Sequence, residues 1–389
     1  LVVQGHDHAL TGFELRGVFS SAALELSGGA RDITLGPGLV VAGVRAQAGI
    51  RLRDAGTTAN RIVGNWCGIA GDGTRSDLVE GHCLLLDRGA AGNTIGGPGA
   101  DGNLLANASG SAVALKGPGA DNQQIAGNVV GLLADGAPGS VAGPGILVRN
   151  GGGNHLARNT LVASASSAIR IEGTSFGNVI QDNWIGFRAD AAPGEDMGNQ
   201  GWGIDLRELT KGTRVEANLI RHNAAGGILV SGGQAVENLL TRNLITANGG
   251  PAIRVSGGGN GGVDPPRFSI VTLARASGTA CGGCRVEFFS DDGDEAGFFE
   301  GSAVATAGLF IFDKEGGFRG PYLTATVTRS GNTSALAVPR PVPGRPTPTP
   351  PATAAPDEWR LWLPWANRGD APPSGTPHPE TRHPWAEAG

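Results

Sequence analysis

The stretch Ile169-Arg-Ile-Glu-Gly-Thr-Ser-Phe-Gly-Asn-Val-Ile-Gln-Asp-Asn-Trp-Ile-Gly186 contains the pattern that decides the fold. Its first part has the form aliphatic-x-aliphatic-x-Gly. Its second part has the form Asn-x-aliphatic-x-x-Asn, and another aliphatic residue follows two positions later. Alternation with a period of two predicts three short β-strands, and the Gly and Asn residues between them predict tight turns.

Both patterns recur along the chain. The Asn pattern recurs at Asn60–Asn65, Asn154–Asn159, Asn178–Asn183 and Asn238–Asn243. The pattern that ends in Gly or an equivalent position begins at Val113, Ile146, Ile169, Ile204, Ile228 and Ile253. Strands this short cannot bury a face alone, but stacked coils form parallel sheets around one core. We therefore predict an all-β fold, with a right-handed three-sheet parallel β-helix over residues 1–263 and roughly nine or ten coils.

The coil corners explain the Asn residues and the uneven repeat length. Asn tolerates the left-handed backbone conformation, and its amide can hydrogen-bond to an Asn in the next coil. The longer coils carry insertions that begin at Gly68, Gly131 and Gly186. We expect long and short coils to alternate, with the insertions at one corner.

The coils are similar to a known family. The Asn-x-Ile-x-x-Asn-x-Ile-Gly pattern, the Asp-containing loops and the turn Asn93-Thr-Ile-Gly-Gly97 resemble the pectate-lyase-like β-helix repeats of large bacterial surface and secreted proteins. The resemblance covers residues 1–260. It implies a right-handed parallel β-helix and a secreted or cell-surface location in bacteria, and it is specific for the fold rather than for an activity.

A different pattern begins after Asp264-Pro-Pro266. Residues 264–338 read as about six strands, including Arg285–Ser290, Leu309–Asp313 and Leu323–Thr328, and predict a small antiparallel β-sandwich. This part resembles an immunoglobulin-like module. Residues 339–356 are expected to form a Pro/Thr-rich linker, and residues 357–389 a short Trp-rich segment and a disordered tail. Trp359–Trp365 reads either as a sorting or docking signal or as a tail strand packed on its own protein.

The composition limits location and partners. The net charge of −5 argues against a nucleic-acid partner, and no apolar run is long enough to cross a membrane. We expect a monomer that binds a polysaccharide or a cell-surface partner. Because Leu1 lies inside a running repeat, we expect further sequence before it. The four cysteines can form two disulfides, as expected in an oxidising compartment. One would join Cys281 and Cys284 locally, and the other would join Cys67 and Cys83 across the first insertion.

The outward positions of the strands before Gly form two charged columns. Stacking should place Arg170 beside Asp205 and Glu172 beside Arg207. One interpretation is a groove for an acidic polysaccharide, in which Arg binds carboxylates while a carboxylate acts as a base or holds Ca²⁺. The other is an ion ladder that relieves like-charge stacking, in which each exposed pair contributes ~0–1 kcal/mol. We favour the ladder.

No complete catalytic set is visible. A polygalacturonase-like site needs a close Asp pair, Gly-His-Gly and Arg-x-Lys, but the chain's Asp291-Asp292 lies outside the helix. A pectate-lyase-like site needs more clustered acids than Glu172 and Asp205. We therefore assign no catalytic residue. Each insertion carries an acid near its start: Asp72, Asp135 and Asp190. Ca²⁺ is the one cofactor that these acids would suit, but each is better explained as capping its own turn.

Three residues are candidates for glycan binding. Trp66 and Trp184 occupy equivalent outward positions, where they would either stack on sugar rings or cover the base of the insertions, and Arg149 lies on the charged face. The chain is thus expected to be a non-catalytic extracellular scaffold that presents a β-helix face to a glycan or surface partner. One alternative is a polysaccharide lyase or glycoside hydrolase that acts on acidic polysaccharide through the face containing Arg170, Glu172, Asp205 and Arg207. The other is a purely structural spacer.

Overall fold

The computed structural model describes residues 1–188 and 197–346. Parallel strands occupy the chain from Val2 to Ser256, and antiparallel strands occupy it from Arg267 to Pro341. This confirms the predicted all-β fold, with a parallel β-helix followed by antiparallel sheets. The expected segment 357–389 and most of the expected linker lie outside the described residues.

Three strands form each coil, and each contributes to a different sheet. The first sheet contains the strands that precede the Gly corner. Each strand pairs in parallel with the equivalent strand of the next coil, so that Val113–Lys116 lies between Leu84–Asp87 and Ile146–Arg149. Its strands are Val2–Val3, Ala22–Leu26, the second half of Val40–Arg53, Val79–Asp87, Val113–Lys116, Ile146–Arg149, Ile169–Glu172, Trp202–Arg207, Gly226–Ser231 and Ile253–Ser256.

The second and third sheets come from the two halves of the Asn pattern. The second sheet consists of Ala9–Leu10, Thr34–Leu35, Arg61–Ile62, Thr94–Gly96, Gln124–Ala126, His155–Ala157, Val179–Gln181, Arg214–Glu216 and Leu239–Thr241. The third sheet consists of Glu14–Val18, the first half of Val40–Arg53, Trp66–Cys67, Leu104–Leu105, Val129–Val130, Thr160–Leu161, Trp184–Ile185, Leu219–Arg221 and Leu244–Thr246. Because Val40–Arg53 runs through a corner without interruption, it joins the third sheet to the first.

The core is a stack of aliphatic side chains that point inward from all three sheets. In one coil these are Leu115, Ile125 and Val130, each 0% exposed. The identical inward position of the next coil carries Val148, Leu156 and Leu161. A narrow interior of this kind accommodates Val, Ile and Leu, which explains the scarcity of aromatic residues in the coils.

Stacked Asn side chains line the inner corners of the coils. Asn128 Nδ2 donates to Asn159 Oδ1 at 3.0 Å, and Asn159 Nδ2 donates to Asn183 Oδ1 at 3.0 Å. The ladder between the second and third sheets consists of Asn65, Asn103, Asn128, Asn159, Asn183, Asn218 and Asn243. These buried amides satisfy backbone groups that a corner would otherwise leave without partners.

The left-handed conformation lies one residue earlier than expected. In this ladder the positive φ belongs to the residue before the Asn, for example Arg158 (54°), Asp182 (54°) and Ala217 (53°). Such a bend turns the following side chain into the corner, where it can stack. The Asn residues of this ladder therefore supply hydrogen bonds, and their neighbours supply the turn.

The insertions follow the third sheet in alternate coils and stack on one another. Ala134 N donates to Gly73 O at 2.9 Å, which links the first insertion to the second. Gly131 opens the second insertion at φ 88°, and a Cβ there would lie 1.9 Å from Val162 O of the next coil. Only Gly fits at that position. Short 3₁₀ turns occupy Gly99–Asp101 and Gly259–Gly262.

Both expected disulfides are present in the structure. Cys67 and Cys83 are joined across the first insertion, and Cys281 and Cys284 are joined locally. No helix in the described ranges is long and apolar enough to cross a membrane.

The antiparallel strands form two sheets after the last coil. One sheet contains Arg267–Val271, Arg275–Thr279 and Leu309–Asp313. The other contains Arg285–Asp291, Phe298–Val304, Tyr322–Arg329, Asn332–Thr333 and Arg340–Pro341. Their shared core contains Phe288, whose ring stacks on Phe312 with centroids 4.4 Å apart. Because Arg340–Pro341 pairs with Tyr322–Leu323, the ordered sheet extends beyond residue 338 into the segment expected to be a linker.

The antiparallel sheets close the end of the β-helix. Asn248 N and Nδ2 donate to Glu295 Oε1 at 3.2 and 3.3 Å, so that this carboxylate takes the place of an Asn in a further coil. Leu240 N donates to Thr333 Oγ1 at 2.9 Å, and Asn260 Nδ2 donates to Thr333 O at 2.9 Å. Exposed edges of a solenoid need such a cap.

Candidate functional site

The outer face of the first sheet carries two columns of side chains in register. We call the first one column A; it contains Val2, Glu25, Arg51, Leu85, Ala114, Leu147, Arg170, Asp205, Leu229 and Arg254. The second, column B, lies two residues further along each strand and contains Arg53, Asp87, Lys116, Arg149, Glu172, Arg207, Ser231 and Ser256. The predicted neighbours Arg170 and Asp205 are thus adjacent in space.

The two columns are basic although the whole chain is acidic. They hold seven basic side chains and four carboxylates, which gives a net charge of +3 on a chain whose net charge is −5. The basic residues are Arg51, Arg53, Lys116, Arg149, Arg170, Arg207 and Arg254, and the acidic residues are Glu25, Asp87, Glu172 and Asp205. The face therefore favours an anionic ligand.

Asp205 is the most buried charged group of the face. Its side chain is 0% exposed, and it accepts hydrogen bonds from Arg170 Nε at 3.1 Å and Arg207 Nε at 2.6 Å. Ser167 Oγ lies 3.3 Å from Asp205 Oδ2, the oxygen that also accepts from Arg170. The hydrogen bond that Arg207 donates to Asp205 is the largest cause that raises the pKa of Arg207, ahead of the opposing effect of burial. This carboxylate is thus fixed between two guanidinium groups.

Glu172 also has a cationic partner, but it is a different one from that expected. Arg149 Nε donates to Glu172 Oε1 at 2.7 Å, whereas the Nε of Arg207 is directed to Asp205. The expected column neighbours therefore lie close together, with a different pattern of ion pairs. At the other end of the face, Arg51 forms a bidentate pair with Asp87 at 3.1 and 2.6 Å.

Lys116 has no such carboxylate partner. Among the residues that the structure describes, no carboxylate oxygen lies within 4.0 Å of its Nζ. Instead Nζ lies 2.7 Å from His82 Nε2, and Ser111 N donates to His82 Nδ1 at 2.9 Å. Burial, and then the positive charge of Arg149, lower the pKa of Lys116.

The part of column A beside Lys116 is apolar. Leu85, Ala114 and Leu147 follow one another in column A and are 4%, 0% and 7% exposed. Burial is the largest cause that lowers the pKa of His82 to about 4, followed by the charge of Lys116. The imidazole is therefore neutral at neutral pH.

The Trp candidates for glycan binding lie against the insertions. Trp184 is 6% exposed, and its ring stacks on Phe187 with centroids 5.7 Å apart. Trp66 packs against the cluster of the first two insertions, beside Gly73 and Ala134. Of the two alternatives for Trp184, its burial agrees with the one in which the ring covers the base of the insertion.

The loop acids bind their own turns. Asp72 accepts hydrogen bonds from Thr74 N at 3.1 Å and Arg75 Nε at 2.5 Å, and Asp135 accepts one from Ala137 N at 2.9 Å. Asp190 lies outside the described residues. Within the described ranges, no group of three or more His, Cys, Asp or Glu side chains is arranged to hold a metal ion.

Sequence reasoning did not identify His82 as part of the face. Gly81-His82 lacks the second Gly of the Gly-His-Gly motif, so the sequence predicts no role for this histidine. The register shift between Arg45 and Ala48, which brings His82 to the face, leaves no periodic signal in the sequence.

No family model matches the chain, and no curated protein does. Solved structures that are similar include the Dettilon tailspike protein, at 16% identity and a TM-score of 0.34, over 84% of this chain and 71% of that one. Full-length tailspike protein 2 from Escherichia coli O157:H7 bacteriophage CAB120 matches at 9% identity and a TM-score of 0.38, over 84% of this chain and 61% of that one. The enzymatically active domain of bacteriophage CBA120 tailspike protein 2 matches at 10% identity and a TM-score of 0.29, over 84% and 68%.

Proposed function

We propose that the chain is a non-catalytic extracellular scaffold that binds an anionic glycan along columns A and B. The observation that carries this proposal is the net charge of +3 on those columns, against −5 for the whole chain. Column B places four basic side chains along the helix axis, with successive coils about 4.8 Å apart, and such a row suits an extended chain with repeated negative groups. These side chains are Arg53, Lys116, Arg149 and Arg207.

The ion pairs of the face favour binding over catalysis. Asp205 is held by two Arg side chains and is 0% exposed, and Glu172 is held by Arg149. A carboxylate that is neutralised and buried in this way is poorly placed to accept a proton from a substrate. In this proposal Arg170, Glu172, Asp205 and Arg207 form the frame of the face.

An extracellular location fits the cysteines. All four are in disulfides, at Cys67–Cys83 and Cys281–Cys284, and such bonds persist in oxidising compartments. We further propose that the antiparallel sheets, which resemble an immunoglobulin-like module in sequence, serve as the cap of the scaffold.

A glycan array tests the proposal with a matched pair of variants. Arg254 lies on column A, is exposed and has no ion pair among the described residues; Arg267 is equally exposed and unpaired on an antiparallel strand. Arg254→Ser should weaken binding to uronate-containing or sulfated glycans about threefold, whereas Arg267→Ser should leave it unchanged.

Two results would contradict the proposal. Absence of wild-type binding to any charged glycan would favour the spacer. Release of unsaturated or shortened products from a uronate-rich polysaccharide, abolished by Arg207→Ala, would favour the lyase or hydrolase alternative.

A further inference from the structure

The chain contains only three lysines, and one of them differs from the other two. Lys211 Nζ pairs with Glu237 at 3.1 Å, and Lys314 Nζ pairs with Glu300 at 3.2 Å. Lys116 contacts a neutral imidazole instead, and it lies directly beside Arg149 in column B. These two basic side chains in adjacent coils interrupt the alternation of basic and acidic residues that column B otherwise shows from Arg53 to Arg207.

The hydrogen bonds of His82 define the state of its neighbour. Ser111 N–H donates to Nδ1, so this nitrogen carries no hydrogen, and a neutral imidazole must then carry its hydrogen on Nε2. Nε2 lies 2.7 Å from Lys116 Nζ, so Nε2–H needs an acceptor there. An ammonium group has only donors, whereas an uncharged amine has a lone pair. The contact is therefore satisfied by Lys116 as a free amine.

Burial and the charge of Arg149 act in the same direction, whereas the charges of Asp87 and Glu172 oppose them. Arg149 is the neighbouring cation, while the nearest acids are engaged elsewhere: Asp87 with Arg51 and Glu172 with Arg149. Burial over the apolar part of column A adds to the cost of a charge on Lys116, and both effects lower its pKa.

We propose that His82, Lys116 and Arg149 form an oxyanion site that binds a carboxylate or a sulfate group and takes up one proton when it does so. Above the Lys116 midpoint, the empty site holds the Nε2–H···Nζ hydrogen bond, and the two columns then carry six cations and four carboxylates, a net charge of +2 in place of the formal +3. When an anion enters, Lys116 Nζ gains a proton from solvent, this hydrogen bond breaks, and Nζ, Nε2–H and the Arg149 guanidinium all donate to the anion. This inference rests on the proposed function, because it assigns one charged group of the glycan to one place on the face.

The three-lysine composition makes the site measurable by NMR. With lysine labelled at Cε, wild-type protein gives three signals, which Lys116→Met, Lys211→Met and Lys314→Met assign. The Lys116 signal should titrate below the usual lysine range, because burial and the charge of Arg149 lower its pKa. Saturating sodium sulfate or sodium glucuronate, at constant ionic strength against chloride, should move that midpoint upward and leave the others in place.

Calorimetry tests the proton directly. Above the Lys116 midpoint, the affinity for the anion should fall about tenfold per pH unit, and the heat should change with the ionisation enthalpy of the buffer. Lys116→Met should abolish binding, and Lys211→Met should not. Comparison of sulfate with glucuronate identifies the group that the site prefers.

The outcomes separate the two proposals. If the Lys116 signal titrates with the other two and neither anion moves it, the oxyanion site is wrong, while glycan-array binding that depends on Arg254 still supports the face. If both anions bind at Lys116 but no glycan binds, the scaffold proposal is wrong and the site stands.

Discussion

Asp205→Asn removes the most buried charge of the outer face and nearly preserves its shape. In the wild type, the carboxylate accepts hydrogen bonds from Arg170 Nε at 3.1 Å and Arg207 Nε at 2.6 Å. An amide offers one acceptor oxygen in place of two and turns its NH₂ group toward a guanidinium. The variant therefore loses one charge-assisted hydrogen bond and leaves two positive charges without a counter-charge.

The size of the effect follows from exposure. Removing one partner of a fully buried ion pair costs about 3–5 kcal/mol. Here Asp205 is 0% exposed, but the side chains of Arg170 and Arg207 are 24% and 39% exposed, so water can compensate part of their charge. We therefore expect the free energy of unfolding to fall by about 2–3 kcal/mol.

Urea denaturation followed by tryptophan fluorescence at pH 7 measures this change. The control is Asp101→Asn, which breaks an exposed pair with Arg61 at 3.2 Å, where both side chains are about half exposed (45% and 55%). The control should lose less than about 1 kcal/mol. If both variants lose the same small amount, Asp205 does not hold the two Arg side chains in the way described, and the frame assigned to the face is wrong.

Three further variants test the fold. Asn159→Ala should lower the free energy of unfolding by about 3–5 kcal/mol, because it removes buried hydrogen bonds to both neighbouring coils. Thermal or urea unfolding measures this change. The control Gln124→Ala, at an exposed position, should cost less than about 1 kcal/mol. Ala217→Gly should stabilise the protein by about 0.5–1 kcal/mol, because φ is 53° there, whereas Ala126→Gly in a strand should destabilise it. If both substitutions change the free energy of unfolding in the same direction, the left-handed conformation of Ala217 is wrong. Burial raises the pKa of Asp291 to about 6, so the protonated side chain stabilises the fold below pH 4 and this stabilisation is lost as the pH rises from about 4 through 6. The free energy of unfolding of Asp291→Asn should therefore exceed that of the wild type by roughly 2–3 kcal/mol at pH 8 and equal it at pH 4.

The coils could be predicted because each structural requirement leaves a residue at a fixed spacing. Inward strand positions require an aliphatic residue, as at Leu115 and Ile125, and corners require a buried amide, as at Asn128. The left-handed positions leave no consistent signal. Gly64 and Gly127 occupy them in two coils, but other coils have ordinary residues there, namely Arg158, Asp182 and Ala217. Periodicity therefore identifies the sheets, but it does not identify the bend that turns the chain.

The site could be predicted only as far as it follows the coil period. The neighbours Arg170 and Asp205 result directly from stacking. The direction of a long side chain does not: Arg207 bends along its own strand to Asp205 instead of crossing to Glu172, because the buried carboxylate has the greater need of a counter-charge. His82 enters through a register shift, which no repeat pattern contains.

The cap at the last coil explains how charge can occupy the end of an apolar solenoid. Where a further coil would supply Asn, the antiparallel sheets supply Glu295 to the backbone and amide of Asn248, and Glu287 to Thr241 Oγ1 at 2.7 Å and Arg242 N at 3.1 Å. Burial, the largest cause, raises the pKa of Glu295, but the hydrogen bonds from Asn248 oppose this shift. The hydrogen bonds from Asn248 thus replace the water that a carboxylate would otherwise bind, and Glu295 accepts the hydrogen bonds that an Asn of a further coil would accept. The ladder and the antiparallel sheets therefore each supply the partner that the other's buried polar groups need.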